Sequence, residues 1–137
     1  MNRIKYDSEL IKLITLFESM TGAGVKDCIA GDNLTFIVEE NEIGKAIGKG
    51  GANIKKLESA LKKRIRVVEF SSDVLQFVRN LVYPVEVPEV KNDRGIITIN
   101  GKDANTRAML IGRNHQNLKH INDVAKRYFD VKEIKIV

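Results

Sequence analysis

Ile43-Gly44-Lys45-Ala46-Ile47-Gly48-Lys49-Gly50-Gly51-Ala52-Asn53-Ile54-Lys55-Lys56-Leu57 sets two short amphipathic helical segments on either side of a glycine turn that carries one lysine. Gly48, Gly50 and Gly51 lack a Cβ, so the chain can turn sharply there and a phosphodiester can lie against the main chain. Lys49, at the tip, supplies positive charge. The helix that starts near Gly51 directs its unpaired N–H groups to the same place, and a helix N-terminus favours anions. Ile43, Ile47, Ile54, Leu57 and Leu61 fit the buried sides of two helices meeting at the turn. The stretch reads as a backbone clamp for nucleic acid on a rigid base.

Rival glycine motifs fail on spacing. A Walker A loop, G-x-x-x-x-G-K-[ST], needs one residue more than the Lys45-Ala46-Ile47 that separates Gly44 from Gly48, and Gly50 stands where Ser or Thr would hold magnesium. Gly22-Ala23-Gly24-Val25-Lys26-Asp27 begins like a dinucleotide fingerprint, but Asp27 occupies the place of the third glycine and a helical pattern precedes it where a strand is required. I-G-K-G-G-x-N-I-K instead resembles the GXXG signature of a KH domain. That resemblance implies a loop that holds about four nucleotides of single-stranded RNA or DNA.

The rest of the first half supplies a frame for this loop. From Asp7 to Met20, Leu10, Leu13, Ile14 and Phe17 follow helical spacing, with Asp7 or Ser8 as N-cap. Thr21-Gly22-Ala23-Gly24 stops that helix. Val25 to Ala30 and Leu34 to Glu39 read as strands around the turn-forming Gly31-Asp32-Asn33. A short helix over Glu42 to Ile47, the glycine turn and a second helix over Gly51 to Lys63 follow, and β-branched Ile65 to Phe70 closes the unit as a strand.

A second copy begins at once. Asp73 to Tyr83 is helical in pattern and stops before Pro84, with Ser72 or Asp73 as its cap. Val85 to Val90 and Ile96 to Ile99 read as strands joined by Lys91-Asn92-Asp93-Arg94-Gly95, and Asp103 to Ile111 is a helix. The helix Asn117 to Tyr128 buries Leu118, Ile121 and Ala125, and Val131 to Val137 is the closing strand. Ile111-Gly112-Arg113-Asn114-His115-Gln116-Asn117-Leu118-Lys119 repeats the first clamp at a constant offset of 64 residues: Gly48 matches Gly112, Lys49 finds Arg113, Asn53 matches Asn117 and Lys55 matches Lys119. The second loop departs from its pattern, because His115 stands where GXXG needs its last glycine. Arg113, His115 and Lys119 either still contact RNA or leave the second domain as a support for the first.

Charge and composition agree with a polyanionic partner. The chain of 137 residues carries a formal net charge of +5, and Lys45 to Arg66 holds eight lysines and arginines against the single acid Glu58. The apolar share of 43% suffices for packed cores, no apolar run approaches a membrane span, and the start Met1-Asn2-Arg3-Ile4-Lys5-Tyr6-Asp7 has no signal-peptide core. A cytoplasmic location is expected. Cys28 is alone, which excludes an internal disulfide and a cysteine zinc site, and with only His115 and His120 beside it no metal or other cofactor is expected. No Ser, His and Asp set or carboxylate pair has a catalytic motif behind it, so no enzyme is expected either.

The repeat therefore predicts an α+β chain of two domains, 1–71 and 72–137, each ordered α-β-β-α-α-β with three helices on a three-stranded mixed sheet. That order resembles the type II KH fold. Two such domains filling about residues 5 to 137 resemble the archaeal NusA family of transcription termination and antitermination factors. Bacterial members add a polymerase-binding domain and an OB-fold domain, for which a chain of this length has no room, so the archaeal form is the expected match. The resemblance implies single-stranded RNA as ligand, RNA polymerase as a partner and no membrane; a monomer is expected. Carried onto this chain, the RNA-binding residues are Gly44, Lys45, Ile47, Gly48, Lys49, Gly50, Gly51, Asn53, Ile54, Lys55 and Lys56, with Gly112, Arg113, Asn114, His115, Asn117 and Lys119 in the second loop. A KH-containing ribosome-assembly factor or other RNA-associated adaptor is the alternative.

Overall fold

The computed structural model describes residues 8–31 and 33–137, and these divide into two compact units between Phe70 and Ser71. The expected cap Asp7 and the turn residue Asp32 lie outside the described residues.

In the first unit the order is α1 (Ser8–Thr21), β1 (Val25–Ile29), β2 (Leu34–Val38), α2 (Ile43–Ile47), a single 3-10 turn over Lys49–Gly51, α3 (Ala52–Leu61) and β3 (Ile65–Glu69). β2 is the central strand, antiparallel to β1 and parallel to β3. Side chains alternate across a sheet. Leu34, Phe36 and Val38 accordingly share one core with Phe17 of α1, Ala46 of α2 and Leu57 of α3. Phe17 and Phe36 stack at 4.2 Å between ring centroids and are fully buried. Truncating either to alanine removes about 3–5 kcal/mol of packing. Thr35 and Arg66, neighbours in register, fall on the opposite face of the sheet. α1 ends where Gly22 turns to φ +75°, with its N–H donating to the Glu18 carbonyl at 2.8 Å. Cys28 is a buried filler, as expected, and burial, reinforced by Asp27, pushes its thiol up to about 11.

The second unit repeats the order as α4 (Val74–Val82), β4 (Glu89–Asp93), β5 (Ile96–Asn100), α5 (Ala104–Ile111), a 3-10 turn over Arg113–His115, α6 (Gln116–Tyr128) and β6 (Glu133–Ile136). Its sheet runs β4-β5-β6 with the same antiparallel and parallel pairings. Asp73 caps α4 by accepting from the Leu75 N–H at 3.1 Å. Asp103 caps α5 by accepting from Thr106 at 2.7 Å. Phe77 is fully buried against the rings of Tyr128 and Phe129, at 5.7 and 5.6 Å. Asn122 ties α6 to β6: its Oδ1 accepts from the Ile134 N–H at 2.8 Å while its Nδ2 donates to the Leu118 carbonyl at 3.0 Å.

Two expectations are corrected here. The strand expected over Val85 to Val90 begins only at Glu89, and the residues Lys91, Asn92 and Asp93, expected in the connection, belong to β4. β4 is an edge strand with exposed side chains, so polar residues cost little there. The hairpin turns on Arg94 and Gly95 alone, both left-handed at φ +53° and +91°, the pair of values a two-residue type I′ turn requires. Leu118, expected buried, is only half-buried, and Val124 with Ile121 and Ala125 forms the buried face of α6.

Candidate nucleic-acid interface

The turn between α2 and α3 is built by three left-handed glycines. Gly48 stops α2 at φ 76°, ψ 172°, its N–H donating to the Gly44 carbonyl at 3.0 Å. Gly50 (φ 62°, ψ 22°) and Gly51 (φ 76°, ψ 16°) then carry the chain around, and the Gly51 N–H closes the turn on the Gly48 carbonyl at 3.2 Å. Gly48 is required twice over, since a Cβ on it would lie 2.8 Å from Cγ of Asn53. At Gly50 and Gly51 a Cβ would meet nothing within 4 Å, so these two leave the backbone open toward solvent.

Asn53 is tied into the turn itself. Its Nδ2 donates to the Lys45 carbonyl at 2.8 Å, which straps the start of α3 to the end of α2 and fixes the turn between them. In this position Asn53 shapes the clamp. α3 begins at Gly51 with no side-chain cap, as α6 does at His115, whereas Asp73 and Asp103 cap α4 and α5. The two helices that follow the glycine loops thus keep their first amides uncapped by side chains, with the positive end of the helix dipole at the loop.

The basic run does not form one patch. Lys45 is paired with Glu42 at 3.1 Å, and the Glu42 carboxylate also accepts from the Gly24 N–H at 3.1 Å. That backbone hydrogen bond first, and Lys45 second, hold Glu42 below the usual carboxylate range. Lys62 to Arg64 sit past the far end of α3, roughly 15 Å along the helix from the turn. Arg66 lies on the sheet face away from the helices, and burial lowers its pKa. Lys49, Lys55 and Lys56 remain, exposed and without an ion-pair partner among the described residues. Of the apolar site candidates, Ile54 packs against the core and Gly44 is exposed. Ile47, expected on the buried side, is 38% exposed; the buried residue of α2 is Ala46.

The second loop has the same backbone as the first. Gly112 takes φ 74°, ψ 171°, Asn114 φ 54°, ψ 30° and His115 φ 62°, ψ 21°, within about 15° of their counterparts in each angle. Asn117 donates to the Met109 carbonyl at 2.9 Å, as Asn53 does to Lys45, and a Cβ on Gly112 would stand 2.7 Å from Asn117 Cγ. His115 therefore keeps the left-handed geometry of a GXXG turn without its glycine. Arg113, Asn114, His115 and Lys119 are all exposed. Sequence reading missed Glu42 as the partner that neutralises Lys45; the i, i+3 spacing of the two was the available signal.

Among the described residues no helix is long and apolar enough to cross a membrane, and no three His, Cys, Asp or Glu side chains group as metal ligands. The KH domain family matches residues 13–95. A probable transcription termination protein NusA of Methanococcus vannielii is 38% identical over 98% of this chain and 80% of its own length. One from Thermoplasma acidophilum is 31% identical over 99% of this chain and 97% of its own. The crystal structure of APE1850 superposes with a TM-score of 0.73 at 34% identity, covering 96% of this chain and 99% of that one. Turn geometry, element order and these likenesses agree: the chain belongs to the KH domain family and, within it, to the archaeal NusA proteins.

Proposed function

We propose that this protein binds single-stranded RNA in transcription termination or antitermination, through a tandem of two KH domains whose boundary lies at residues 70–72. The observation that carries the reading is the Gly48–Gly51 turn, with its open backbone, its uncapped helix start and, at the turn and on the first half of α3, three exposed lysines without an ion-pair partner among the described residues. The role in transcription comes from the relatives, which bear the name probable transcription termination protein. They favour it over ribosome assembly. The protein acts by binding and not by catalysis, in the cytoplasm, as a monomer and with RNA polymerase as the protein partner.

The RNA-contacting residues are Lys49, Gly50, Gly51, Lys55 and Lys56 in the first loop, with Gly44 and Ile47 beside it, and Arg113, Asn114, His115 and Lys119 in the second. Asn53, Asn117, Gly48 and Gly112 hold the turns, and Ile54 is part of the base beneath. A titration of the full chain with single-stranded and duplex RNA across a salt series tests this. Single strands bind more tightly, because a KH loop reads the exposed edges of splayed bases. Five cations on phosphate, Lys49, Lys55, Lys56, Arg113 and Lys119, give a log–log salt slope of about −3.5, at roughly −0.7 each. Equal affinity for duplex, or a slope near zero, would remove the reading.

A further inference from the structure

The two loops share a backbone and differ in what surrounds it. Where the first unit has Lys45, Gly50 and Gly51, the second has Met109, Asn114 and His115. Asn114 and His115 hold left-handed φ values of 54° and 62°, a conformation that Asn and His tolerate better than most residues with a Cβ but less readily than glycine. Neither side chain makes a hydrogen bond or ion pair among the described residues, and both are exposed, so both are available to a ligand. Two exposed side chains that the fold holds in a fixed turn without using them point to a ligand. Met109 is 59% exposed on α5, and its carbonyl is the one strapped to Asn117 at the loop. Met109 thus puts a large exposed apolar residue on the last turn of α5, at the position where the first unit carries an ion-paired lysine.

Resting on the RNA-binding reading above, we propose that the second loop discriminates among bases, with Met109 and His115 as its specificity-determining residues, whereas the first loop mainly holds phosphate. The occupant is a base of the same single strand whose phosphates meet Arg113 and Lys119. A polarizable thioether packs well on a π-face, and an imidazole both stacks on a base and hydrogen-bonds to its edge. Cations serve the first loop because phosphate is the same at every nucleotide; an imidazole that hydrogen-bonds to a base edge distinguishes one base from another, and the thioether packs on the face of the base so held.

The test is a binding panel of four short oligoribonucleotides of one length and different base composition, measured with the full chain, the double variant M109A/H115G and the single variant H115G. Thermal melts check folding. Glycine at the left-handed position 115 keeps or raises stability, so loss of fold is not the expected outcome. The wild-type chain should separate the best from the worst sequence by about tenfold, and M109A/H115G should narrow the spread to about twofold, the effect of one lost base contact. The salt slope should not change. An unchanged ranking and spread in the variant overturns the proposal. So does a uniform loss on all four sequences with a shallower salt slope, which would make these residues phosphate contacts. A wild-type chain that binds the panel with no preference also overturns it and leaves the RNA-binding reading standing. Absence of binding to any single strand ends both.

Discussion

The Gly48–Gly51 and Gly112–His115 turns teach how one backbone can be specified by two different chemistries. In the first, three glycines make the left-handed path inexpensive and leave the main chain bare. In the second, only Gly112 is a glycine, and the path is imposed on Asn114 and His115 by what lies on either side. The common parts are the strap from Asn53 or Asn117 to a carbonyl of the preceding helix, and the absence of a Cβ at the first turn position. These parts set the shape. The residues at the tip decide what the shape meets.

The largest effect should come from reversing charge at the first tip. K49D/G50D places two negative charges beside the uncapped start of α3 and touches no core residue, so RNA affinity should fall by an order of magnitude or more while the melting temperature drops only by the few degrees that a Cβ at the left-handed Gly50 costs. R113D/N114D should cost several-fold less, because the second turn holds fewer unpaired cations and the His115 side chain already stands in the space that Gly51 leaves open. A filter or anisotropy titration of both reads the difference. Equal losses would mean that the two turns share the phosphate load and that the tip residues do not set them apart.

Next in size is the cost of a Cβ at the shared glycine. G48A and G112A each push against an asparagine Cγ at 2.8 and 2.7 Å and leave alanine at φ near +75°. Each should lose about 2 kcal/mol of stability in denaturant melts, from the left-handed backbone and the displaced strap together. The two losses should match, since the geometry does. A much smaller loss at Gly112 would show that the second strap is the weaker one.

The smallest effect has the opposite sign. H115G relieves a left-handed residue and should stabilise the second unit by about 1 kcal/mol, while G51A should destabilise the first by a similar amount. Hydrogen exchange within α6 and α3 would resolve the two units separately. If H115G loses stability, the imidazole supports the fold and its strain is offset inside the chain.

Much of this was legible from residue order. The core pattern of Leu10, Leu13, Ile14 and Phe17, the turn at Thr21–Gly24 and the β-branched run from Ile65 fall close to the elements they predict, because each reports a local backbone preference. The constant offset between the two loops carried the second unit with it. The edge strand β4 lies further along the chain than its pattern predicts, because strand patterns presume one buried face, and Lys91, Asn92 and Asp93 need none at an exposed edge.

By itself the amino-acid sequence determined the element order, the repeat, the place of the glycine clamp and its kinship, all of which depend on residues near one another in the chain. Only the tertiary structure decided which of the clustered charges act together. Glu42 is drawn to the Gly24 amide across 18 residues and in doing so neutralises Lys45, sheet register turns Arg66 away from the helices, and Ile47 is exposed while Ala46 is buried. The left-handed His115 belongs to the same class. Intrinsic preference opposes that conformation, and it persists because Gly112 and the Asn117 strap fix the chain on both sides of it.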